Sequence, residues 1–233
     1  MITALHLLPV SLGAAPVERW LPTEARQRAS TLTTYIAENA KTARAYLKQT
    51  GTEGAIQDIT IHTLSAKTSE SDMRRWLTET AGEMGLVSEA GCPAVADPGA
   101  RVVQLAHQLG IRVVPWVGPS SILLGLMASG LDGQRFTFHG YVPIAPAERS
   151  KQLKTWEQLS ARHNQTQLFI ETPYRNMAMF TTLHESLNPN TRLCIARALT
   201  TPDEWIQTDT IAGWKKRPPP DLDKHPTLFL FLA

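Results

Sequence analysis

The sequence predicts an α/β protein with two domains. Short apolar runs alternate with amphipathic segments over the first half of the chain, which is the pattern that strands and helices produce in an α/β fold. Beyond Gly130 the predicted strands become denser along the chain. We therefore expect a domain boundary in the segment 118–130 and divide the chain into an N-terminal domain, 1–117, and a C-terminal domain, 118–233.

Two helices of the first domain have clear start signals. Asn39 is a good N-cap for a helix that ends at Gly51. Ser69 with Asp72 resembles a capping box and predicts a second helix. The strands predicted for this domain are 5–10, 33–37, 59–64, 85–88 and 111–117.

A long loop at 89–99 separates the fourth of these strands from the next helix. Asp97 and Pro98 predict a carboxylate N-cap and a first helical residue for a helix that runs to Gly110. The loop thus lies where a strand ends and a helix begins, which is where open α/β sheets usually bind ligands. The segment 118–121, Gly-Pro-Ser-Ser, repeats this arrangement before an apolar helix that ends near Gly130.

The second domain is predicted to contain more strands and fewer helices. A charged helix is expected over 146–162 and another over 174–187. The predicted strands are 136–142, 167–171, 192–198, 204–211 and 227–232.

Charge and cysteine content bear on the binding partner and on the cellular compartment. The 233 residues carry 23 Lys and Arg against 21 Asp and Glu, a net charge of +2, which is too small for binding nucleic acid by charge alone but leaves an RNA partner open. Cys92 and Cys194 form no disulfide framework, which favours a reducing, cytoplasmic location. The sequence also shows no signal peptide and no apolar run that could span a membrane.

Several common sites are excluded by their missing motifs. No two glycines are separated by a single residue, so neither the dinucleotide fingerprint nor the glycine-rich loop of the commonest methyltransferase fold occurs. No P-loop motif is present. The seven histidines have no metal-ligand spacing, so we expect no metal site.

Five segments in order resemble the tetrapyrrole methylase superfamily of S-adenosylmethionine (SAM) methyltransferases. The most specific is Ser-Glu-Ala-Gly-Cys-Pro-Ala-Val-Ala-Asp-Pro-Gly at 88–99. Within the superfamily the sequence most resembles the ribosomal RNA cytidine 2′-O-methyltransferase branch. The other four segments are 37–44, 115–121 with 128–130, 169–175 and 196–200.

The resemblance implies two α/β domains with SAM in the cleft between them, S-adenosylhomocysteine as product and a homodimer. It also implies RNA or a ribosomal subunit as partner, and a cofactor held largely by main-chain groups of loops. The cofactor contacts that it implies are Pro9, Glu89, Ala90, Gly91, Cys92, Val95, Ser120, Ser121, Glu171, Thr172, Ala196, Arg197, Pro226 and Thr227.

Roles in catalysis and substrate binding are open at this stage. Glu89 and Glu171 lie in the matched loops and are candidates for a general base, although either could instead cap a helix or turn. Lys41 and Arg44 lie three residues apart on nearly the same helical face and are candidates for contact with an anionic substrate. Tyr174 with Arg175 could stack on a base or a tetrapyrrole ring, while the alternative for Tyr174 is core packing.

Two loops depart from the pattern of the RNA branch. The first reads Leu-Pro-Val-Ser-Leu-Gly-Ala-Ala-Pro at 8–16, where Thr-Pro-Ile-Gly-Asn-Leu is typical, and the second is Ser-Ala-Lys-Thr-Ser at 65–69. The resemblance as a whole favours an RNA nucleotide as methyl acceptor. The two altered loops leave two alternatives open: a small molecule such as a tetrapyrrole as acceptor, or SAM binding without catalysis.

Overall fold

The structure is a computed structural model that describes residues 1–233. The chain divides into two compact units, Met1–Ser120 and Ser121–Ala233. Each unit combines a five-stranded sheet with helices, so the α/β class predicted from the sequence is confirmed. No helix has both the length and the apolar character that crossing a lipid bilayer requires.

The first unit is a parallel sheet with strand order β3-β2-β4-β1-β5. Its strands are β1 (Ala4–Leu7), β2 (Thr34–Ala37), β3 (Thr60–Thr63), β4 (Glu83–Val87) and β5 (Arg112–Pro115). Its helices are α1 (Thr23–Thr31), α2 (Ala40–Thr50), α3 (Glu70–Glu79) and α4 (Ala100–Gln108), with short 3-10 helices at Val17–Arg19 and Ile56–Asp58.

Two helix caps predicted from the sequence form as expected. The Asn39 side chain accepts a hydrogen bond from the Lys41 amide at 2.9 Å and starts α2. The Ser69 hydroxyl accepts from the Asp72 amide at 3.1 Å and starts α3.

The predicted cap of α4 is wrong. Gly99, and not Asp97, is the N-cap residue, and no side chain bonds the first turn of the helix. Asp97 is displaced from the helix because Ala94 and Ala96 both take a left-handed backbone conformation, with φ of 67° and 63°, which coils the preceding loop. The Asp97 carboxyl group is therefore available for other contacts at the end of β4.

The connections that leave β1 and β4 run in opposite directions along the sheet. These two strands are neighbours; the chain leaving β1 passes β4 to reach β2, and the chain leaving β4 passes β1 to reach β5. Such a point of reversal opens a crevice at the carboxyl ends of the strands, which is where open α/β sheets bind ligands.

The second unit is a mixed sheet with strand order β6-β7-β10-β8-β9, in which only β6 and β7 are parallel. Its strands are β6 (Phe136–Tyr141), β7 (Thr166–Glu171), β8 (Arg192–Arg197), β9 (Trp205–Thr210) and β10 (Thr227–Leu232). Its helices are α5 (Ser121–Ser129), α6 (Pro146–His163), α7 (Asn176–Ser186) and α8 (Ile211–Trp214), with a 3-10 turn at Pro173–Arg175.

The two faces of this second sheet pack against different helices. A Cβ on Gly125 of α5 would lie 2.4 Å from Leu228 and 3.6 Å from the Ala196 Cβ, so α5 approaches the even-numbered residues of β8 and β10 closely. The odd-numbered Phe229 and Phe231 join the larger core with residues of α6 and α7 on the opposite face. In β8 and β10, even-numbered side chains therefore face α5, and odd-numbered side chains face α6 and α7.

Three histidines stack on tryptophans: His6 on Trp116, His62 on Trp76 and His139 on Trp156. The last pair is the closest, with ring centroids 3.9 Å apart, and His139 Nε2 also lies 2.7 Å from Gln167 Oε1. Burial lowers the pKa of all three imidazoles because it disfavours their charged form.

We expect His139 to make the second unit less stable in mild acid. In the unfolded chain an imidazole takes up a proton at a pKa of about 6.5, while the native His139 binds it only at lower pH. The unfolded state therefore binds more protons as the pH falls below this value, and the free energy of unfolding decreases.

The measurement is urea unfolding of wild type and His139→Gln at pH 7.5 and 5.5. The stability advantage of wild type over the variant should shrink at the lower pH. An advantage that is constant or larger at pH 5.5 would contradict the assigned direction of the pKa shift.

Candidate functional site

The loops that follow β1 and β4 are joined by their main chains. The Val10 amide donates to the Gly91 carbonyl and the Gly91 amide donates to the Val10 carbonyl, both at 2.9 Å, which forms an isolated antiparallel bridge. Gly91 has a φ of +75°, a conformation that L residues rarely adopt. The bridge fixes two candidate cofactor loops at the carboxyl ends of β1 and β4, where the strand connections run in opposite directions.

The loop that follows β5 contacts both of the others. A Cβ on Gly118 would lie 2.2 Å from the Pro9 Cβ, so the chain passes Pro9 at a distance that only glycine permits. The Cys92 thiol lies 3.4 Å from the Pro119 carbonyl. Burial raises the pKa of the Cys92 thiol, so it stays neutral at pH 7. The structure thus brings together the candidates Pro9, Gly91 and Cys92.

The β4 loop exposes several of its candidate residues. Glu89 and Ala90 are exposed, and Val95 is exposed between the two left-handed alanines of the loop. Left-handed non-glycine residues cost conformational energy and often cluster at functional sites. Ser88 anchors the start of the loop, because its hydroxyl donates to the carbonyls of Ala90 and Gly91.

Three carboxyl groups lie near one another at the ends of β2 and β4. Burial raises the pKa of Glu38, and the charges of Asp97 and Glu89 raise it further. Burial also raises the pKa of Asp97; a hydrogen bond with Ser88 opposes this effect, and the charge of Glu89 adds to it. Carboxyl groups with raised pKa values, here Glu38 and Asp97, are suited to accept a proton near neutral pH.

The candidates of the second unit meet at one end of its sheet. Thr227 pairs with Glu171 on one side and with Arg197 on the other, in the strand order β7-β10-β8. The Ala198 amide donates to the Pro226 carbonyl at 2.8 Å and extends this contact beyond the strands. Glu171, Arg197, Pro226 and Thr227 are therefore neighbours. Ala196 is buried in β8, next to α5.

Glu171 is a buried carboxylate with one free oxygen. Its Oε1 accepts from the Thr172 amide at 2.6 Å and from Arg175 Nε at 2.9 Å. Its side chain is fully buried, and its Oε2 has no hydrogen-bond partner. The contacts of Oε1 are those of a turn cap, whereas the unpaired Oε2 is the kind of buried acceptor that a ligand donor can satisfy.

The candidate substrate residues are mostly exposed. Lys41 and Arg44 are exposed on α2, and neither side chain forms an ion pair. Lys41 lies in the first turn of its helix, where the helix dipole disfavours a positive charge, so the lysine does not serve helix stability. Tyr174 is 81% exposed, so it is not packed in the core. Arg175 is held by Glu171.

Ser120 and Ser121 lie where the first unit ends and α5 begins, as expected for a loop that leads into a helix. Sequence reasoning did not identify Glu38. Its proximity to the β4 carboxyl groups depends on the pairing of β2 with β4, which no local pattern shows. It also missed Asn176, whose buried Nδ2 donates to the His225 carbonyl at 2.7 Å and to Thr227 at 3.1 Å, and so holds the start of β10.

Comparison with known proteins identifies related sequences. A family model described as "Tetrapyrrole (Corrin/Porphyrin) Methylases" matches residues 20–213. A "Ribosomal RNA small subunit methyltransferase I" from Xylella fastidiosa is 33% identical over 184 residues, which cover 78% of this chain and 64% of that protein. A protein of the same name from Mesorhizobium japonicum is 38% identical over 128 residues, which cover 55% of this chain and 42% of that protein. The matched region thus spans less than two thirds of either relative.

The fold is also found in a solved structure. The chain superposes on the "methyltransferase CobJ" with a TM-score of 0.62, covering 100% of this chain and 93% of the other. The two sequences are 15% identical, so this similarity concerns the fold.

Proposed function

The chain belongs to the tetrapyrrole (corrin/porphyrin) methylase family, as its motifs indicated, and on this premise we propose that it is a SAM-dependent methyltransferase acting on an RNA nucleotide. The choice of RNA is supported by the similarity to proteins named ribosomal RNA small subunit methyltransferase I. The fold expected from the resemblance is confirmed by the superposition on the methyltransferase CobJ.

The observation that carries the proposal is the main-chain bridge between Val10 and Gly91. It holds two loops at the carboxyl ends of β1 and β4, where an open α/β sheet is expected to bind its ligand. The chain has no glycine-rich fingerprint. The proposed site is formed instead by loops whose main chains pass close to one another at Gly91 and Gly118. Main-chain groups of these loops can bind a nucleoside in place of a glycine-rich fingerprint.

The residues present fit SAM in their chemistry. The unpaired Oε2 of Glu171 can accept a hydrogen bond from an ammonium or hydroxyl group, and SAM carries both. The cofactor contacts that we propose are Pro9, Glu89, Ala90, Gly91, Cys92, Val95, Ser120, Ser121, Glu171, Thr172, Ala196, Arg197, Pro226 and Thr227.

SAM, when bound, supplies an electrophilic methyl group. The protein's contribution is to align an acceptor hydroxyl with it, and alignment of two reactants can supply roughly 7–11 kcal/mol of the barrier reduction. Glu89 is the better of the two candidate bases, because it is exposed, whereas Oε1 of Glu171 is occupied by Arg175.

The proposal is tested by incubating the protein with SAM labelled in its methyl group and with RNA extracted from 30S subunits of a strain that lacks the related methyltransferase. Label in an RNA nucleotide would support it. Label in a tetrapyrrole acceptor instead would favour the small-molecule alternative. SAM binding without transfer to either acceptor would favour a non-catalytic SAM-binding protein.

We expect Lys41→Glu to weaken the RNA substrate without weakening SAM. The exposed ammonium group attracts an anionic backbone, and reversing its charge should raise the RNA KM by about tenfold or more at low salt. Lys48→Glu, on the same helix in its last turn, is the matched control and should change the KM less. An equal loss of SAM affinity in Lys41→Glu would contradict a role in substrate binding.

We further propose that the protein is a cytoplasmic homodimer. Both cysteines are free thiols, which suits a reducing compartment. On α5, Leu123 and Met127 lie one turn apart and are 59% and 78% exposed, an apolar surface that a second copy could cover. Sedimentation equilibrium measures the mass directly, and a monomer at micromolar concentration would contradict the dimer.

A further inference from the structure

A pocket of about 370 Å³ lies within the second unit, away from the α5 face of its sheet. Arg197 and Trp205 line it from β8 and β9, and Trp214 lines it from α8. Gln207 of β9 and the segment from Arg217 to Asp221, with three consecutive prolines, form the remaining wall. Its volume falls at the lower end of the range typical for small-molecule sites.

The strand register explains why these side chains meet. Arg197 pairs with Trp205 across β8 and β9, and both belong to the odd-numbered set that faces away from α5. Ala196, the preceding residue, faces α5. The side chain of Arg197 is thus directed into this pocket. Only the main chain of Arg197 is assigned to the cofactor.

The Arg197 guanidinium is fixed in place without a carboxylate partner. It donates to the main-chain carbonyls of Asp221 and Asp203 and lies 5.8 Å from the centre of the Trp205 ring. Its Nε is buried and has no hydrogen-bond partner. Because no ion pair neutralises the charge of this fixed guanidinium, it is suited to bind an anionic ligand.

The second cation of the pocket has N–H donors besides those of its ion pair. Arg217 forms an ion pair with Asp209, with 2.8 Å between Nε and Oδ2, and its side chain is about half exposed. The Asp209 side chain is 23% exposed, so we expect this ion pair to remain, and the half-exposed guanidinium has further N–H donors for an incoming anion. The neighbouring Lys215 and Lys216 are exposed and add positive charge.

The other walls suit a planar ring with polar edges. Trp205 is half-buried and lies edge to face with the buried Trp214, with centroids 6.2 Å apart, and the prolines add an apolar surface. Asp221 is the one carboxylate that lines the pocket, and it can accept a hydrogen bond from an exocyclic amino group such as that of adenine or cytosine.

We propose that this pocket binds a nucleoside monophosphate unit, with the base against the tryptophan and proline walls and the phosphate at the two arginines. The unit can come from single-stranded RNA or from a free nucleotide, because both present the same base and phosphate. The proposal does not rest on methyl transfer, since it invokes the side chain of Arg197, whereas the cofactor contact is assigned to the main chain of that residue.

The test is calorimetric titration of the full chain with AMP and with a short oligoadenylate, in saturating S-adenosylhomocysteine so that the cofactor site does not contribute. We expect saturable binding of at least one of the two. Binding of AMP alone identifies a free nucleotide as ligand, and binding of the oligonucleotide alone identifies RNA. Failure of both to bind would overturn the proposal.

Variants assign the binding to this pocket. Arg217→Gln, at an exposed position that should not affect folding, is expected to weaken binding by about three- to tenfold, and Arg197→Met by tenfold or more. Lys216→Gln, in the same segment but outside the pocket, is the matched control and should bind within twofold of wild type. Wild-type affinity in Arg217→Gln and Arg197→Met would overturn the proposal even if the nucleotide binds. Loss of methyl transfer with intact AMP binding would instead reject only the proposed function.

Discussion

Gly118→Val is expected to reduce SAM affinity by about a hundredfold or more while the sheets remain folded. The new Cβ would lie 2.2 Å from the Pro9 Cβ, a distance that requires one of the two loops to move. Movement of the β5 loop would also shift Pro119, which contacts Cys92. Because we propose that these loops of the first unit bind SAM through main-chain groups, no flexible side chain there could absorb such a displacement. A hundredfold loss corresponds to about 2.7 kcal/mol.

The measurement is calorimetric titration with SAM, alongside circular dichroism to check the fold. Gly54→Val is the matched control, because it lies in the same unit, has a backbone without a positive φ and has open space around its Cβ position. It should bind SAM as wild type does. Normal affinity in Gly118→Val would show that the close approach to Pro9 does not define the binding site.

Glu171→Leu is expected to lower SAM affinity by at least tenfold. The substitution removes the acceptor of the Thr172 amide and the partner of Arg175, and it deletes the unpaired Oε2 assigned to the cofactor. It should also lower the free energy of unfolding by about 1–3 kcal/mol, because a main-chain donor loses its partner.

Glu171→Gln separates these two effects. The amide oxygen can still accept from Thr172, so the turn should remain, whereas the negative charge is lost. We expect most of the stability to return and only part of the SAM affinity. Glu185→Gln, an exposed acid on the same unit, should change neither quantity. If Glu171→Leu unfolds more easily but binds SAM as wild type does, Glu171 is a turn cap and the cofactor assignment is wrong.

Local sequence signals predicted most elements of the fold. The caps at Asn39 and Ser69 depend on side chains that bond amides two or three residues away, so the relevant contacts lie within the motif. Strand β10 was predicted with the bounds it has, Thr227–Leu232, because a continuous apolar run is typical of a strand buried on both faces. Helix α1 was not predicted, since its only buried residues are Ala25 and Ala29 and the rest of its surface is polar.

Contacts between distant segments could not be predicted. The Val10–Gly91 bridge and the approach of Gly118 to Pro9 depend on the strand order, which brings the ends of β1, β4 and β5 together. The error at Asp97 has a related cause, because nothing in an alanine indicates that it will adopt a left-handed conformation. The candidate residues came from motifs, whereas their grouping came from the structure.

The most direct test of the site is an NMR titration of the isotope-labelled protein with SAM, followed through its backbone amide signals. We predict saturable shifts at Val10, Gly91 and Gly118, with smaller changes in α3. Saturating SAM that leaves these three amides unshifted, or that shifts only signals far from the ends of β1, β4 and β5, would contradict the assignment of these loops as the cofactor site.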